Sequence, residues 1–169
     1  MASTLTPAPL NVTIREQITM NGTDYGGITR YTVNNISEIS RRLVTTNGTS
    51  STEVIRFQPS ASAGQFINTD VRYLRITNLD DANYATLRFR GSGSTDYAFR
   101  LDATSSHVLM TSNPSGSVAG PSGSAPSGSA MAGVTSYADI SGLVLQDLRA
   151  IRAVADTAAI NLELFVASE

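Results

Sequence analysis

The sequence predicts an all-β fold, an antiparallel β-sandwich of jelly-roll type with about eight to ten strands. Apolar and polar residues alternate with period two over most of the chain, which sends successive side chains to opposite faces of a strand. Turn-forming residues interrupt that alternation roughly every ten residues, as at Asn21-Gly22, Asn47-Gly48, Asp80-Asp81 and Gly91-Ser92-Gly93. At 169 residues and 41% hydrophobic, the chain is long enough for one domain with its own core.

Taken in order, residues 1–9 read as an extended N-terminal arm, because Pro7 and Pro9 disfavour helix. Leu10, Val12, Ile14, Ile18 and Met20 then alternate with Asn11, Thr13, Arg15, Gln17 and Thr19 as one long strand, closed by a hairpin at Asn21-Gly22. A second strand covers about 28–33. In 34–46, Ile36, Ile39 and Leu43 have helical spacing, but the favoured reading is a short turn into a strand that stops at a second hairpin, Asn47-Gly48. Residues 53–58 follow with Ile55 and Phe57 on one face, then a loop marked by Pro59 and Gly64.

The clearest alternation lies in 71–79, closed by Asp80-Asp81-Ala82-Asn83, and in 84–90, with Leu87 and Phe89 inward and Arg88 and Arg90 outward. Tyr97, Phe99 and Leu101 alternate with Ala98, Arg100 and Asp102, and a short strand follows near 107–111. Residues 112–136 differ in kind. They repeat Pro-Ser-Gly-Ser at Pro114, Pro121 and Pro126 and hold too little apolar surface to order themselves, so they are expected to be a flexible loop inserted in a single domain spanning 10–169. Beyond it, 140–148 fits helix or strand, and 149–155 with 159–167 read as a hairpin about Asp156-Thr157.

Composition excludes several kinds of chemistry. With no cysteine there is no disulfide, thiolate metal site or cysteine nucleophile. The only histidine, His107, cannot build a multi-histidine metal site. Net charge is −2 and the basic residues are scattered, so no nucleic-acid footprint is visible. The N-terminus lacks a basic region and an apolar run, so secretion and a membrane span are not expected. The Asn-x-Ser/Thr triplets at Asn11, Asn21, Asn35 and Asn47 are then read as turns and strand positions rather than glycosylation sites.

His107 lies near Ser105, Ser106, Asp96 and Asp102, yet no nucleophile elbow accompanies it, and a half-exposed strand histidine is the expectation. Asn78, Asp80, Asp81 and Asn83 form an oxygen-rich turn that can be read as a Ca²⁺ loop or, preferentially, as a self-bonded turn. No cofactor is expected. All 12 basic residues are arginine, and Arg72, Arg75, Arg88, Arg90 and Arg100 fall on three successive strands among Asp80, Asp81, Asp96 and Asp102. They make a candidate polar subunit interface, since arginine is enriched at interfaces and lysine is not. Pro114, Pro121 and Pro126 complete the candidate docking set.

The block from Tyr73 to Tyr84 (Tyr-Leu-Arg-Ile-Thr-Asn-Leu-Asp-Asp-Ala-Asn-Tyr), then Tyr97 to Asp102, then Ala155-Asp156-Thr157-Ala158 leading to Ile160–Phe165, resembles small virion proteins of tailed bacteriophages. The likeness covers roughly residues 70–169 without the repeat loop, and residues 1–69 match no family pattern. It implies a β-sandwich structural protein, not an enzyme, made in the host cytoplasm and carried in the virion. The leading expectation is a capsid decoration (cement) subunit that forms a homo-oligomer and bridges neighbouring copies of the major capsid protein, with neither nucleic acid nor membrane as partner. A tail or tail-fibre-base component is the alternative within that class. A host-glycan-binding module, using Tyr25, Tyr31, Tyr84 and Tyr97 for stacking, is the alternative of another class, disfavoured by the absence of tryptophan.

Overall fold

In the computed structural model, which describes residues 6–60, 64–91, 96–110 and 148–169, the alternating stretches fold as strands and no helix forms among the described residues. The repeat loop, with Pro114, Pro121 and Pro126, lies outside those residues, as does 140–147. Four antiparallel or mostly antiparallel sheets result. Two are ribbons from the first part of the chain: β1 (Ala8–Glu16) with β4 (Gly27–Ile36), and β2 (Thr19–Met20) with β3 (Thr23–Asp24). The body consists of β5 (Glu38–Thr46), β6 (Thr52–Gln58), β7 (Phe66–Ile67), β8 (Val71–Asn78), β9 (Ala85–Gly91), β10 (Asp96–Leu101), β11 (Ser106–Met110), β12 (Leu148–Ala155) and β13 (Ile160–Ser168).

The body strands form a five-stranded sheet in the order β10-β9-β12-β6-β7 and a four-stranded sheet in the order β11-β8-β13-β5. Apart from the two-residue β7, which pairs parallel with β6 at Phe57↔Phe66, the pairing is nested. First bonds to last (β5–β13), second to second-last (β6–β12), then β8–β11, then β9–β10. Inward positions of both sheets meet in one core, with Ile55, Leu87, Phe89 and Ile151 from the first sheet and Leu74, Ile76, Leu162 and Leu164 from the second, all essentially without solvent contact. Alternation places Leu87 and Phe89 inward and Arg88 and Arg90 outward, as expected.

Nested pairing corrects two expected hairpins. Asn47-Gly48 joins β5 to β6, and Asp156-Thr157 joins β12 to β13, but in each case the two strands belong to different sheets. The loops cross between the layers. They also pack on each other: the Ala155 amide donates to the Asn47 carbonyl (3.1 Å), and a Cβ on Gly48 would lie 3.2 Å from the Asp156 carbonyl oxygen. Gly48 has no positive φ, so glycine is there for close backbone approach. Asn21-Gly22, with φ of 51° and 80°, is a hairpin of the primed kind, as expected.

The expected single strand over 10–20 is also corrected. Its pairing with β4 ends at Glu16↔Gly27, and beyond that the chain bends where Gly26 passes Glu16 so closely that a Cβ would sit 2.6 Å from the Glu16 carbonyl oxygen. At the other end of the ribbon the register slips between Ala8↔Ile36 and Leu10↔Val33, leaving one extra residue on β4, with Asn35 in the left-handed region at φ 61°. The bulge breaks the alternation so that Val33 and Ile36, three residues apart, both point at the body. There they meet Tyr73 and Ala167 in a second, smaller core.

Candidate functional site

The arginines singled out by sequence do not share a face. The connection after β8 crosses between layers, so Arg72 and Arg75 belong to the four-stranded sheet and Arg88, Arg90 and Arg100 to the five-stranded sheet. Each has a carboxylate partner. Arg72 pairs with Glu169, Arg75 with Glu163 (2.7 Å), Arg88 with Asp96 (2.5 Å) and Arg100 with Asp102 (2.5 Å), while Arg90 reaches Asp96 only at 3.7 Å. Arg100 also lies over the Tyr84 ring, 3.9 Å from its centroid.

Register adds members that sequence reasoning missed on the outer face of the five-stranded sheet. Arg152 stands directly opposite Arg88, and Arg56 and Arg90 flank Ala150. Arg56, Arg90, Arg149 and Arg152 line a depression of about 310 Å³ whose one carboxylate among the described residues is Glu53, which accepts three hydrogen bonds from Arg56 and raises that guanidinium's pKa. Across its other neighbour Arg152 stands opposite Glu53, and Arg88 is paired with Asp96, while the Arg152 Nε is buried with no hydrogen-bond partner. The signal was present in period two: Arg56 sits between Ile55 and Phe57, and Arg152 between Ile151 and Ala153. Distance along the chain hid that these residues belong together.

The outer face of the four-stranded sheet is of another kind. Glu163, 8% exposed, is held between Arg41 and Arg75. The Arg41 hydrogen bond is the main cause of a pKa below the ordinary carboxylate range; Arg75 adds to it and burial opposes it. Beyond these three charges the face carries apolar residues: Phe165 meets Tyr73 edge-on at 5.8 Å, and Ile39 and Leu43 on β5 are 60% and 65% exposed.

The ribbon continues that character outward. Val33 and Ile36 are buried and Leu10 and Val12 partly so, yet every residue from 13 through 32 is exposed. That run carries Ile14, Ile18, Met20, Tyr25, Ile28 and Tyr31. A two-stranded ribbon is marginal in water by itself, and exposed large apolar residues in sequence and in space mark a contact surface.

The remaining sequence candidates take local roles. His107 faces inward, its ring 4.3 Å from that of Phe99 and 5.6 Å from that of Phe89, and burial lowers its pKa. Ser106 is bonded to Thr77 (2.8 Å), while Asp96 and Asp102 hold arginines, so His107, serine and carboxylate go to separate partners. In the Asn78–Asn83 turn, Asp80 Oδ1 accepts the Ala82 and Asn83 amides (2.9 and 2.6 Å), which lowers its pKa, and Asn78 Oδ1 accepts the Asp80 amide (3.0 Å). These oxygens serve the turn, and no group of three or more His, Asp or Glu gathers among the described residues. Tyr25 and Tyr31 lie on the ribbon, Tyr84 under Arg100, and Tyr97 stacked on Phe89 at 4.6 Å, so the four tyrosines form no common platform. No family model matches the chain, and no curated protein or solved structure matches it either.

Proposed function

We propose that this chain is a non-enzymatic structural subunit of a tailed-bacteriophage particle, a jelly-roll sandwich that decorates the capsid by bridging neighbouring capsid proteins. One observation carries the assembly reading: the wholly exposed run 13–32 with its six large apolar side chains, a surface that is costly to leave in water. The jelly-roll assignment is supported by the nested order, in which β5-β13-β8-β11 and β6-β12-β9-β10 alternate between two facing sheets as in a double Greek key. The phage assignment rests on the sequence resemblance, and within the fold its turn motifs hold the crossing loops. Asn78 is fully buried and its amide group donates to the Asn83 and Asp102 carbonyls (2.8 and 3.2 Å), Thr157 Oγ1 donates to Asn83 Oδ1 (2.8 Å), and the Asp156 amide donates to the Tyr84 carbonyl. The motif residues shared in that resemblance therefore bind the crossing loops to each other. The arginine-lined face is the side assigned to the capsid lattice, where an acidic surface would complement its excess of arginine.

Copy number per particle, by quantitative mass spectrometry of purified virions, tests this. Hundreds of copies, in a simple ratio to the major capsid protein, are expected. Tens or fewer would replace decoration with a tail role, and absence from the particle would overturn the structural assignment.

A further inference from the structure

The described surface exposes ten large apolar side chains, and their distribution is one-sided. Six are on the ribbon. Ile39, Leu43 and Val108 are on the outer face of the four-stranded sheet, Leu79 follows β8 on that sheet, and none is on the five-stranded sheet. The chain thus carries a projecting apolar element and an uncovered apolar face of similar chemistry.

We propose that the ribbon of one copy lies across the outer face of the four-stranded sheet of a second copy, against Ile39 and Leu43 of its β5, and that this head-to-tail contact closes into a ring. The proposal rests on the assembly reading above and names the ribbon's partner. Its first support is continuity: the base of the ribbon already packs on this same sheet face, with Val33 and Ile36 against Tyr73 and Ala167, and with Leu10, Val12, Met110 and Phe165 alongside. Ribbon-on-sheet packing is a contact this sequence makes once within the chain, and the β5 side of the face is left open. Second, the ribbon cannot cover that side itself. Only Ser37 separates β4 from β5, and its amide is tied to the Ser168 carbonyl at 2.9 Å, so the ribbon's direction is fixed at its root.

Charge is the third support. Arg41, paired with Glu163, stands between Ile39 and Leu43 on the open face with its side chain 68% exposed, and on the ribbon Glu16 shares the face of Ile14 and Tyr31 while Arg15 and Arg30 share the opposite one. Exposure is the fourth. On one face of the ribbon Ile14 and Tyr31 are each 43% exposed, and beyond it Ile18, Met20 and Tyr25 are 50%, 55% and 66% exposed, whereas Ile28, opposite Arg15, faces the other way. In a ring each copy both gives and receives such a contact, which is the way a head-to-tail interface terminates.

Sedimentation velocity on the full chain at tens of micromolar tests this with two variants altered only at exposed positions. Wild type should sediment as a closed multimer. The ribbon variant I14S/Y31S and the face variant I39S/L43S should each be monomeric, and a mixture of the two should give one-to-one dimers, because each retains the half the other lacks. A face variant that assembles like wild type would overturn the proposal in favour of ribbon-to-ribbon contact. A wild type that stays monomeric would overturn it outright while leaving the copy-number result unaffected. Since the chain has no cysteine, the double variant Tyr25→Cys, Leu43→Cys gives an independent check. Oxidation should yield a ladder of disulfide-linked chains, and the absence of any ladder would count against the contact.

Discussion

The two outer faces of this body rest on the same core and obey the same alternation, yet they are opposite in character. The five-stranded sheet turns outward Arg56, Arg88, Arg90, Arg100 and Arg152 with Glu53 and Asp96 among them. The four-stranded sheet turns outward Ile39, Leu43, Val108, Tyr73 and Phe165 around one carboxylate, Glu163, held by Arg41 and Arg75, and apolar residues continue into the ribbon. Period two decides only which residues face out. The choice among those outward residues sets the two apart, and here it separates an arginine-rich surface from one where exposed aliphatic residues surround an ion-paired carboxylate.

The largest expected effect distinguishes body from ribbon. Leu164→Ala, at a position with no exposure, should lower unfolding free energy by about 3 kcal/mol. Tyr31→Ser, on the ribbon, should change it by less than about 0.5 kcal/mol. Denaturant unfolding of both variants at a concentration where wild type is monomeric checks this, and equal losses would erase the distinction.

Next is the charge inside the apolar face. Glu163→Gln should cost about 2 kcal/mol at neutral pH, the scale of hydrogen bonds to a charged group. Because Arg41 holds the folded-state pKa below the unfolded value, this stabilisation is fully present above the ordinary carboxylate pKa and is lost as pH falls through the folded-state pKa. Stability curves of wild type and variant should therefore lie apart at pH 7 and converge in acid. Parallel curves would mean that Glu163 is not held as an ion.

Smaller again is the bulge that aims the ribbon. Asn35→Ala forces a less tolerant residue into φ 61° and should cost about 1 kcal/mol, whereas Asn35→Gly should be close to neutral. Thermal melts of the two variants separate strain from lost contacts. The smallest stability change, under about 0.5 kcal/mol, is expected for Arg88→Ala, whose side chain is 58% exposed in a surface pair. Under the proposed capsid role, its effect is expected instead as weaker, less salt-sensitive binding to undecorated capsids. Undiminished binding would remove the charged face from the lattice contact.

The strands around Leu87, Phe89, Ile76 and Leu164 were legible because each presents one buried face, and the Asn21-Gly22 hairpin because that dipeptide suits positive φ at both positions. The crossings were not. Asn47-Gly48 and Asp156-Thr157 carry the same turn chemistry as a hairpin, and nothing local states whether the next strand pairs with the last one or faces it across the core. That choice depends on partners more than 100 residues away, as at Thr46↔Ile160. For the same reason the arginine set drawn from three successive strands was split between sheets, while Arg56 and Arg152 joined Arg88 unannounced. The ribbon was hidden because alternation looks the same whether or not its apolar face finds a core. Length was no signal either, since β1 has nine residues like β5 and β13 of the body.

Nested pairing also governs when the molecule can form. β5 emerges early in synthesis, but its partner β13 follows more than 100 residues later, and β13 is the strand that joins β5 to β8. At roughly 5–20 residues per second, the ribosome leaves β5 and β6 without their partners for on the order of ten seconds. Ile55, Phe57 and the rest of their inward side chains stay open to solvent in that interval. High contact order then makes refolding slow as well, on the scale of milliseconds to seconds. A nascent chain of this topology is a natural client for a chaperone, and its folding yield depends on how long that first strand must wait.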